Sequence, residues 1–550
     1  MTSPITITGE QLTVEFDRFG IDQYDLFLRV KRLPEFSLDF LPGREAYRVS
    51  APARFAHLLG VQSPPLDAGD LPLSPFLFDD QSAIVRLALA AKRFAVWSDC
   101  GLGKTLIQLE VARHVLHRTG GRVLIMTMNE IVDQTIDECR KFYGDTLPIV
   151  KLHSRDRLRH WCETGEHAPG EHCQLAITNY EKMNPGTGGK AAEVINELRL
   201  LSGLLLDESS RLKTGGGKQK WAIIKSSKGI PYKLSCTATP APNDTTEFAS
   251  QASFLEKMRS DNEIIWTYFV RDAKTHRWTV KRHARAPFFE FMAGWSIYVR
   301  NPKRYGWRLN MQPVPEPEVF VHDIEPTAQQ RAALSKLSVQ PNGQLGLFAS
   351  KETNTFQRGK LSQIAKGFRY RKSGSGRVVE LIESRKPAFV ANLVAQEVAA
   401  GLQVLVWTVF DAESTILSEE LAKLGIEHRT LTGSDSRPDR LPILERFRRG
   451  LLPVLVSRAA MLGYGMNFQC CGSMIFNGWN DSYESYYQAV RRSYRYGQTK
   501  RLRVHLPVIR ELEGEQLDNI LHKQDQHEAA IEEMEQNYIR SMQVIQGGGA

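Results

Sequence analysis

Residues 94–105 read Phe94-Ala95-Val96-Trp97-Ser98-Asp99-Cys100-Gly101-Leu102-Gly103-Lys104-Thr105. The four apolar residues predict a short buried strand, and a helix is predicted after the glycines, over 106–116. Gly101 and Gly103 let successive backbone amides face phosphate oxygens at a helix start. Lys104 would then reach the β- and γ-phosphates of a nucleotide, and Thr105 would offer its hydroxyl to Mg²⁺. Ser98 replaces the usual first glycine, so a simple turn also fits the loose pattern, but the flanking strand and helix favour the phosphate loop.

Further apolar runs on both sides of this loop predict an α/β fold. In the first half they occupy 123–126, 175–178 and 204–206, and from 376 onward the clearest are 404–407 and 454–457. Strands separated by helical stretches are typical of a parallel sheet covered on both faces. The sequence therefore predicts two parallel-sheet lobes, with a small N-terminal accessory region and a helical insertion between the lobes.

The domain boundaries follow from shifts in composition. We expect an accessory region and proline-rich linker over 1–75, a nucleotide-binding lobe over 76–255, a basic and aromatic insertion over 256–375, a second lobe over 376–505 and a helical tail over 506–550. A chain of 550 residues is long enough for several domains, because single cores rarely exceed about 300 residues.

The bulk composition favours an ordinary globular protein with a polyanionic partner. The net charge is +9, hydrophobic residues make up 42% and charged residues 24% of the chain. Seven cysteines form no regular framework, which favours a reducing compartment. The sequence shows no secretory leader and no apolar run long enough to span a bilayer. We therefore expect no membrane association and a location in the cytoplasm of a bacterial or phage-infected host cell.

Asp207 and Glu208 close the apolar run 204–206. In a nucleotide-hydrolysing motor, Asp207 would hold Mg²⁺ through water and Glu208 would orient or deprotonate the attacking water. A lone Asp-Glu pair can also be a helix cap or a surface acidic pair. The phosphate loop upstream favours the catalytic interpretation.

Two further candidate functional sites lie on either side of the phosphate loop in the sequence. Thr237-Ala238-Thr239-Pro240 follows another short strand, and its hydroxyls could link the position of the carboxylates to nucleic-acid contacts, although a turn before proline fits equally well. Gln81 precedes the first lobe and has an amide that can donate to and accept from adenine. Taken alone, an exposed glutamine is more often without function.

The segment Gln488-Ala489-Val490-Arg491-Arg492-Ser493-Tyr494-Arg495-Tyr496-Gly497-Gln498 presents two arginines three residues apart. Guanidinium groups are always charged and bind phosphate in a forked geometry, so Arg492 and Arg495 are suited to stabilising phosphoryl-transfer charge. A solvated basic helix face is the alternative. If the two signatures complete one ATPase site only when two lobes meet, hydrolysis can drive motion, and Lys104, Asp207, Glu208, Gln488, Arg492 and Arg495 form its catalytic set.

For two clusters of residues, the sequence alone allows both a functional and a purely structural interpretation. Residues 266–308 interleave aromatic and basic side chains, which suits a nucleic-acid backbone with exposed bases, but the aromatics are equally expected in the core of a helical subdomain. The histidines and cysteines of 160–173, namely His160, Cys162, His167, His172 and Cys173, invite a zinc interpretation, although their spacing matches no tight set of ligand pairs.

These motifs, in this order, resemble those of superfamily-two helicases, and most closely the Swi/Snf-like DNA translocase branch found in bacterial and phage genomes. The likeness covers about residues 76–525. Gln81 resembles the adenine-reading glutamine, and Gly101, Leu102, Gly103, Lys104 and Thr105 the GLGKT loop. Thr178-Asn179-Tyr180-Glu181, Asp207-Glu208-Ser209-Ser210 and Thr237-Ala238-Thr239-Pro240 resemble the TTYE, DEAH-type and TATP segments. Gly463, Gly465 and Asn467 lie in a GGxGxN-like motif, and 479–498 resemble the WNP…QAxxRxxRxGQ ending.

The sequence departs from the family pattern at several positions. Ser210 replaces the usual histidine, Met128 a proline, Thr135 a tryptophan and Leu462 a glycine. The departure at Ser210 puts its link to the second-lobe glutamine in doubt. None of the four replaces Lys104, Asp207, Glu208, Arg492 or Arg495, so the resemblance implies an active ATPase.

The resemblance implies an ATP- and Mg²⁺-dependent motor that steps along duplex or forked DNA with RecA-like lobes. It assigns nucleotide binding to Gln81, 101–105 and Gly465, Mg²⁺ to Thr105 and Asp207, and coupling or DNA contact to Thr178, Thr237, Ala238, Thr239, Gly463 and Asn467. Such motors commonly work as monomers. The first alternative is a strand-separating helicase in replication or recombination. The second, of another class, is a non-hydrolysing, ATP-gated DNA-binding module.

Overall fold

The structure is a computed structural model. It describes residues 5–8, 11–16, 23, 26–27, 30–31, 33, 36–41, 46–52 and 59 of the N-terminal region. From residue 71 to 547 it describes all but 130, 184–193, 213–216, 241–244, 259, 272–277, 309–313, 339–354, 374–375, 434, 459–466, 480–481, 496–497 and 499. The chain divides into two compact units, one formed by 1–310 with 527–550 and the other by 311–526.

The N-terminal region contains an antiparallel sheet of four strands. They are β1 (Ile5–Thr8), β2 (Gln11–Phe16), β3 (Ser37–Leu41) and β4 (Ala46–Pro52), in the spatial order β1-β2-β4-β3. Leu12, Val14 and Phe16 alternate along β2 and are buried, because every second residue of a strand points to the same face. This region therefore has a small core of its own.

The strands that follow in the first unit are β5 (Arg93–Ser98), β6 (Val123–Thr127), β7 (Val150–Lys151), β8 (Glu166–Ala168), β9 (Glu171–His172), β10 (Leu175–Asn179), β11 (Gly203–Leu206), β12 (Tyr232–Thr237), β13 (Phe269–Arg271), β14 (Trp278–Val280) and β15 (Ser296–Val299). A parallel sheet of seven strands has the order β15-β5-β12-β11-β6-β10-β7. Its central strands β6, β11 and β12 are buried along their whole length, because both faces of the sheet are covered.

The helices of the first unit connect and cover these strands. The α-helices are Asp79–Ala91, Lys104–Thr119, Val132–Tyr143, Arg155–Thr164, Lys218–Ser226, Phe248–Phe254, Asp261–Tyr268 and Arg285–Ala293. Short 3₁₀ helices are Gly144–Thr146, Tyr180–Met183, Asn196–Leu200, Ser209–Leu212, Thr245–Glu247, Arg282–Ala284 and Pro302–Tyr305.

Strand β15 lies within the segment that the sequence assigns to an insertion. Ser296, Ile297, Tyr298 and Val299 are buried and pair in parallel with β5, the strand that leads into the phosphate loop. Trp295 and Phe288 are buried beside it. These aromatic residues therefore belong to the core of the first unit, as the structural alternative proposed.

The second unit contains another parallel sheet. Its strands are β16 (Glu318–Asp323), β17 (Phe368–Ser373), β18 (Gly376–Leu381), β19 (Gln403–Thr408), β20 (His428–Leu431), β21 (Val454–Arg458), β22 (Cys471–Phe476) and β23 (Arg503–Val508). The parallel sheet has the order β16-β23-β22-β19-β21-β20, and β17 and β18 form a separate hairpin. Its α-helices are Ala328–Ser338, Thr355–Ala365, Lys386–Ala399, Asp411–Lys423, Arg437–Arg448 and Tyr483–Val490. Two parallel α/β sheets confirm the predicted RecA-like fold class.

The last helix, Arg510–Gly547, begins in the second unit, where Glu513 anchors it. The Glu513 carboxylate is buried and accepts from the ammonium groups of Lys366 at 2.6 Å and Lys386 at 2.5 Å. Burial lowers the pKa of Lys386 to about 8. Burial alone would raise the pKa of Glu513, but the two lysines hold it below its usual value. None of the helices in the described residues is long and apolar enough to cross a membrane.

Candidate active site

The phosphate loop connects β5 to helix Lys104–Thr119 at the carboxyl edge of the first sheet. Gly101 and Gly103 have φ angles of 90° and 75°, in the left-handed region that favours glycine. Lys104 Nζ donates to the carbonyl oxygens of Ser98 at 2.8 Å and Asp99 at 3.2 Å. The lysine is thus held against the loop, at the start of a helix whose first amides have no intrahelical acceptor.

Gln81 packs directly on this loop. Its Nε2 donates to the Leu102 carbonyl at 3.2 Å, and its Oε1 accepts from the Phe78 amide at 3.1 Å. A Cβ at position 103 would lie 2.3 Å from Gln81 Nε2, so any side chain there would displace the glutamine amide from the loop. The structure therefore places the predicted adenine-reading glutamine beside the predicted phosphate loop.

Asp207 follows β11 and faces the same helix. Its Oδ1 accepts from Gln108 Nε2 at 2.9 Å, and its Oδ2 accepts from Thr127 Oγ1 at 2.8 Å. Gln108 lies one turn after Thr105 on helix Lys104–Thr119, so the two side chains share a face of the helix. A carboxylate and a hydroxyl on neighbouring elements are hard oxygen donors, and this donor set fits Mg²⁺.

Glu208 is the next residue and has a φ angle of 51°, which is uncommon for a residue with a side chain. Its Oε1 accepts from Thr237 Oγ1 at 3.0 Å and from Ser210 Oγ at 3.1 Å. The Thr237 hydroxyl in turn accepts from the Thr239 amide at 3.1 Å. The TATP-like segment is therefore joined to the predicted catalytic carboxylate by a direct hydrogen bond. Ser210, at the position of the usual histidine, also donates to this carboxylate.

Tyr180 supports the same corner of the sheet. Its hydroxyl donates to the Asp207 carbonyl at 2.6 Å. Burial, followed by the nearby carboxylates of Asp207 and Glu208, raises the pKa of Tyr180 well above its usual value, so the phenol stays protonated and remains a donor. Thr178 is buried in β10, and its hydroxyl donates to the Leu152 carbonyl at 3.1 Å. The structure does not bring Thr178 to the carboxylates.

Gln251 is a residue that the sequence interpretation missed. It is buried on helix Phe248–Phe254, and its Oε1 accepts from Trp97 Nε1 at 2.8 Å, from Ser235 Oγ at 2.8 Å and from Ser209 Oγ at 3.4 Å. Its Nε2 donates to the Pro240 carbonyl at 2.8 Å. The side-chain amide of Gln251 thus forms hydrogen bonds to the strand before the phosphate loop, to the residue after Glu208 and to the end of the TATP-like segment. A lone glutamine in an unremarkable helical sequence carries no signal of this role.

The described residues of the second-unit motifs form a separate cluster. Arg495 donates to the side-chain oxygen of Asn467, and the Phe468 amide donates to the Arg492 carbonyl at 2.8 Å. Arg492 is buried, whereas Gln488 on helix Tyr483–Val490 is half-buried. Gly463 and Gly465 lie outside the described residues. The structure thus brings the predicted motif residue Asn467 into contact with the predicted arginine finger Arg495.

Some of the basic residues of 266–308 form ion pairs with glutamates. Arg304 binds Glu532 at 2.5 Å and also pairs with Glu535, and Arg285 binds Glu533 at 2.6 Å. These glutamates lie on the final helix. The bond from Arg304 is the main cause that lowers the pKa of Glu532 to about 2. These two arginines are therefore occupied by carboxylates within the first unit.

The histidines and cysteines of 160–173 do not gather around one point. His160 pairs with Glu166 at 3.0 Å, and His167 with Glu171 at 3.2 Å. Cys162 is buried, and burial raises the pKa of its thiol to about 12. Across the part of the chain that the structure describes, no group of three or more histidine, cysteine or acidic side chains could hold a metal ion.

Two protein-family models match the chain. The model described as "Type III restriction enzyme, res subunit" matches residues 78–242, and "Helicase conserved C-terminal domain" matches 385–497. The first match spans the phosphate loop, the two carboxylates and the TATP-like segment. The second spans the arginine segment.

Curated relatives and a solved structure are also similar. "Putative protein p41" of Acyrthosiphon pisum secondary endosymbiont phage 1 is 23% identical over 75% of this chain and 87% of its own length. "Putative ATP-dependent helicase/translocase YwqA" of Bacillus subtilis is 24% identical over 77% of this chain, which spans only 45% of that relative. The solved "Sulfolobus solfataricus SWI2/SNF2 ATPase core in complex with dsDNA" is 19% identical, covers 82% of this chain and 91% of its own, and has a TM-score of 0.36.

The two family models match in the order of the motifs, and each falls on one of the two parallel sheets. The chain therefore contains the two domains of a helicase, which confirms its predicted resemblance to the superfamily-two helicases.

Proposed function

We propose that the protein is an ATP-dependent DNA translocase, which hydrolyses ATP to ADP and phosphate and couples this reaction to movement along duplex or forked DNA. The observation that carries the proposal is the hydrogen bond from Thr237 to Glu208, because it joins the hydrolytic carboxylate to the predicted coupling segment. The name of the Bacillus subtilis relative, which includes helicase and translocase, is consistent with a motor function.

In this proposal each residue of the first unit has a chemical task. Water attacks the γ-phosphorus, the bond to the bridging oxygen of ADP breaks, and the proton of the water leaves toward Glu208. Lys104 leaves its two carbonyl acceptors on the loop and offsets charge on the phosphates. Gln81 positions the base of the nucleotide.

Thr105 and Asp207 would hold Mg²⁺, which supplies charge neutralisation at the phosphates when bound. Gln108 and Thr127 orient the Asp207 carboxylate through one hydrogen bond to each oxygen. Each carboxylate oxygen keeps a further lone pair for the ion or its waters.

Arg492 and Arg495 would stabilise the charge that develops during phosphoryl transfer. Removing such an arginine lowers kcat by about 1000-fold or more in related chemistry. We expect Arg495→Ala to lower kcat strongly while KM for ATP changes little. Arg449→Ala is the matched control, because Arg449 is an exposed arginine of the same unit that bonds Glu445.

The experiment that tests the proposal is steady-state ATP hydrolysis with no nucleic acid, single-stranded DNA, duplex, forked DNA or RNA. Lys104→Ala and Glu208→Gln should abolish turnover, whereas the exposed-lysine control Lys228→Ala should not. Displacement of a third strand from a triplex then reports movement along the duplex. Stimulation by duplex or fork with triplex displacement supports the translocase.

Other outcomes would replace the proposal. Stimulation by single strands alone, with separation of a forked duplex, would indicate a strand-separating helicase. DNA binding that depends on ATP but proceeds without hydrolysis, and that Glu208→Gln leaves unchanged, would indicate an ATP-gated binding module.

A further inference from the structure

Two tryptophans form a surface feature of the first unit that the ATP site does not use. Trp266, on helix Asp261–Tyr268, has a side chain that is 69% exposed. Its ring centroid lies 5.9 Å from that of Trp278 on β14, with the ring planes at 82°. Large aromatic side chains normally bury most of their surface, so an indole this exposed indicates a surface with a binding task.

The tryptophan pair is held on a rigid support. Lys281 Nζ donates to the carbonyls of Trp266 at 2.7 Å and Thr267 at 2.9 Å, which fixes the end of the helix. Phe269 is buried directly after the helix, and Tyr268 stacks on Phe291 with centroids 5.7 Å apart. The exposed ring of Trp266 is therefore presented from an ordered element.

The surroundings of the pair are basic. The sequence from Ile264 to Phe289 contains six lysines and arginines and a single acidic residue, Asp272. Arg271, Arg282 and His283 are exposed, and Arg271 lies opposite Trp278 in the β13–β14 register. Arg285, at the far end of this stretch, is paired with Glu533. The charge near the indoles thus matches a polyanion.

An exposed indole in a basic surface can stack on a nucleic-acid base, but only on a base whose face is uncovered. In a duplex both faces of each interior base are covered by neighbours. We propose that Trp266 and Trp278 form a stacking platform for unpaired bases, which gives the protein a preference for single-stranded or forked DNA over plain duplex. This inference rests on the proposed function and adds the DNA structure that the motor recognises.

The test is equilibrium binding of fluorescein-labelled DNA to the full chain without nucleotide. The probes are a 20-nucleotide oligo-dT, a 20-base-pair duplex, and a fork made of the same duplex with two oligo-dT arms. We expect Trp266→Ala to weaken binding of oligo-dT and fork about 10-fold, from the usual energy of one base stacked on an aromatic ring, and of duplex by less than about 2-fold. Trp266→Phe should recover most of the loss, because a ring remains.

Trp221→Ala is the matched control, since Trp221 is also an exposed tryptophan beside a lysine in the same unit. It should bind all three probes like the parent. Equal losses on duplex and oligo-dT, or no loss on any probe while DNA still stimulates ATP hydrolysis, would overturn the platform alone. A parent protein that neither binds DNA nor hydrolyses ATP faster with it would overturn the proposed function as well.

Discussion

Thr237 donates its hydroxyl to the Glu208 carboxylate at 3.0 Å, and the same hydroxyl accepts from the backbone amide of Thr239. The predicted catalytic base therefore has a partner in the segment assigned to coupling. A shift of that segment would change the orientation of the carboxylate by way of a single bond. This geometry leads to a specific kinetic prediction.

We predict that Thr237→Val lowers the DNA-stimulated kcat about 10-fold, within the range for a group that positions a general base, and leaves KM for ATP within about 2-fold. The valine keeps the shape of threonine but cannot donate to Glu208. Thr237→Ser should restore most of the activity. A large rise in KM with an unchanged kcat would contradict the assignment, because it would place Thr237 in ground-state nucleotide binding.

Gln251→Leu should destabilise the first unit by about 3 kcal/mol, because Trp97 Nε1, Ser235 Oγ and the Pro240 carbonyl lose their shared partner in a buried place. The measurement is the denaturant midpoint of the first unit, followed by fluorescence. Gln174→Leu serves as control, since that exposed glutamine makes one bond to the Gly120 carbonyl. Equal midpoints for both variants would show that Gln251 is not a structural hub.

The Glu110 carboxylate gives a pH-dependent prediction. It is buried and accepts from the Ser74 amide at 2.9 Å and from Tyr143 at 2.7 Å, and it pairs with Arg113. Burial alone would raise the pKa of Glu110, but the hydrogen bonds from His114, Arg113, Tyr143 and Ser74 hold it far below the ordinary value of 4.5. A depressed carboxylate pKa contributes stability above the unfolded value and loses it as the pH falls below that value.

We therefore expect Glu110→Gln to lower the free energy of unfolding by about 3 kcal/mol at pH 7, the usual cost of breaking a buried pair. The difference from the parent should shrink as the pH falls below about 4.5. Thermal unfolding of both proteins from pH 7 to pH 4 measures this, with the exposed Glu163→Gln as control. A difference that is constant over this range would contradict the depressed pKa.

The pairing of basic residues predicts which of them contact DNA. Arg304 is held by Glu532 and Glu535, whereas Arg282 is an exposed residue that follows Trp278 by four positions in the sequence. Arg282→Ala should weaken DNA binding and reduce the slope of log affinity against log salt by about 1, as expected for one lost phosphate contact. Arg304→Ala should leave that slope unchanged. The reverse result would mean that the final helix releases Arg304 when DNA binds.

Much of the fold could be predicted because several of its strands contain short, wholly apolar runs. The runs 94–97, 123–126 and 204–206 lie within β5, β6 and β11, since a parallel strand is buried on both faces. Strand β15 was assigned to an insertion because its neighbours Trp295 and Phe291 resemble a separate aromatic cluster. The position of a strand at a sheet edge depends on pairing with β5, which local sequence does not encode.

In the candidate site, too, local sequence motifs predict some residues, whereas others depend on tertiary contacts. Lys104, Asp207 and Thr237 could be predicted because each belongs to a motif that follows a strand. Gln251 could not, because its importance arises from four hydrogen bonds to residues that lie 11 to 154 positions away in the sequence. The ion pairs of Arg304 could not be predicted either, since its carboxylate partners lie 228 and 231 residues away in the sequence.

That separation has a consequence for how the protein is made. The compact unit that contains the phosphate loop also includes residues 527–550, which are synthesised only after the whole of the second unit. At usual synthesis rates of about 5 to 20 residues per second, Arg304 is translated roughly 10 to 45 s before Glu532. Throughout that interval the nascent unit lacks the glutamates that pair with Arg285 and Arg304. A translation product that stops before residue 527 carries the whole phosphate loop yet lacks the glutamates that pair with Arg285 and Arg304.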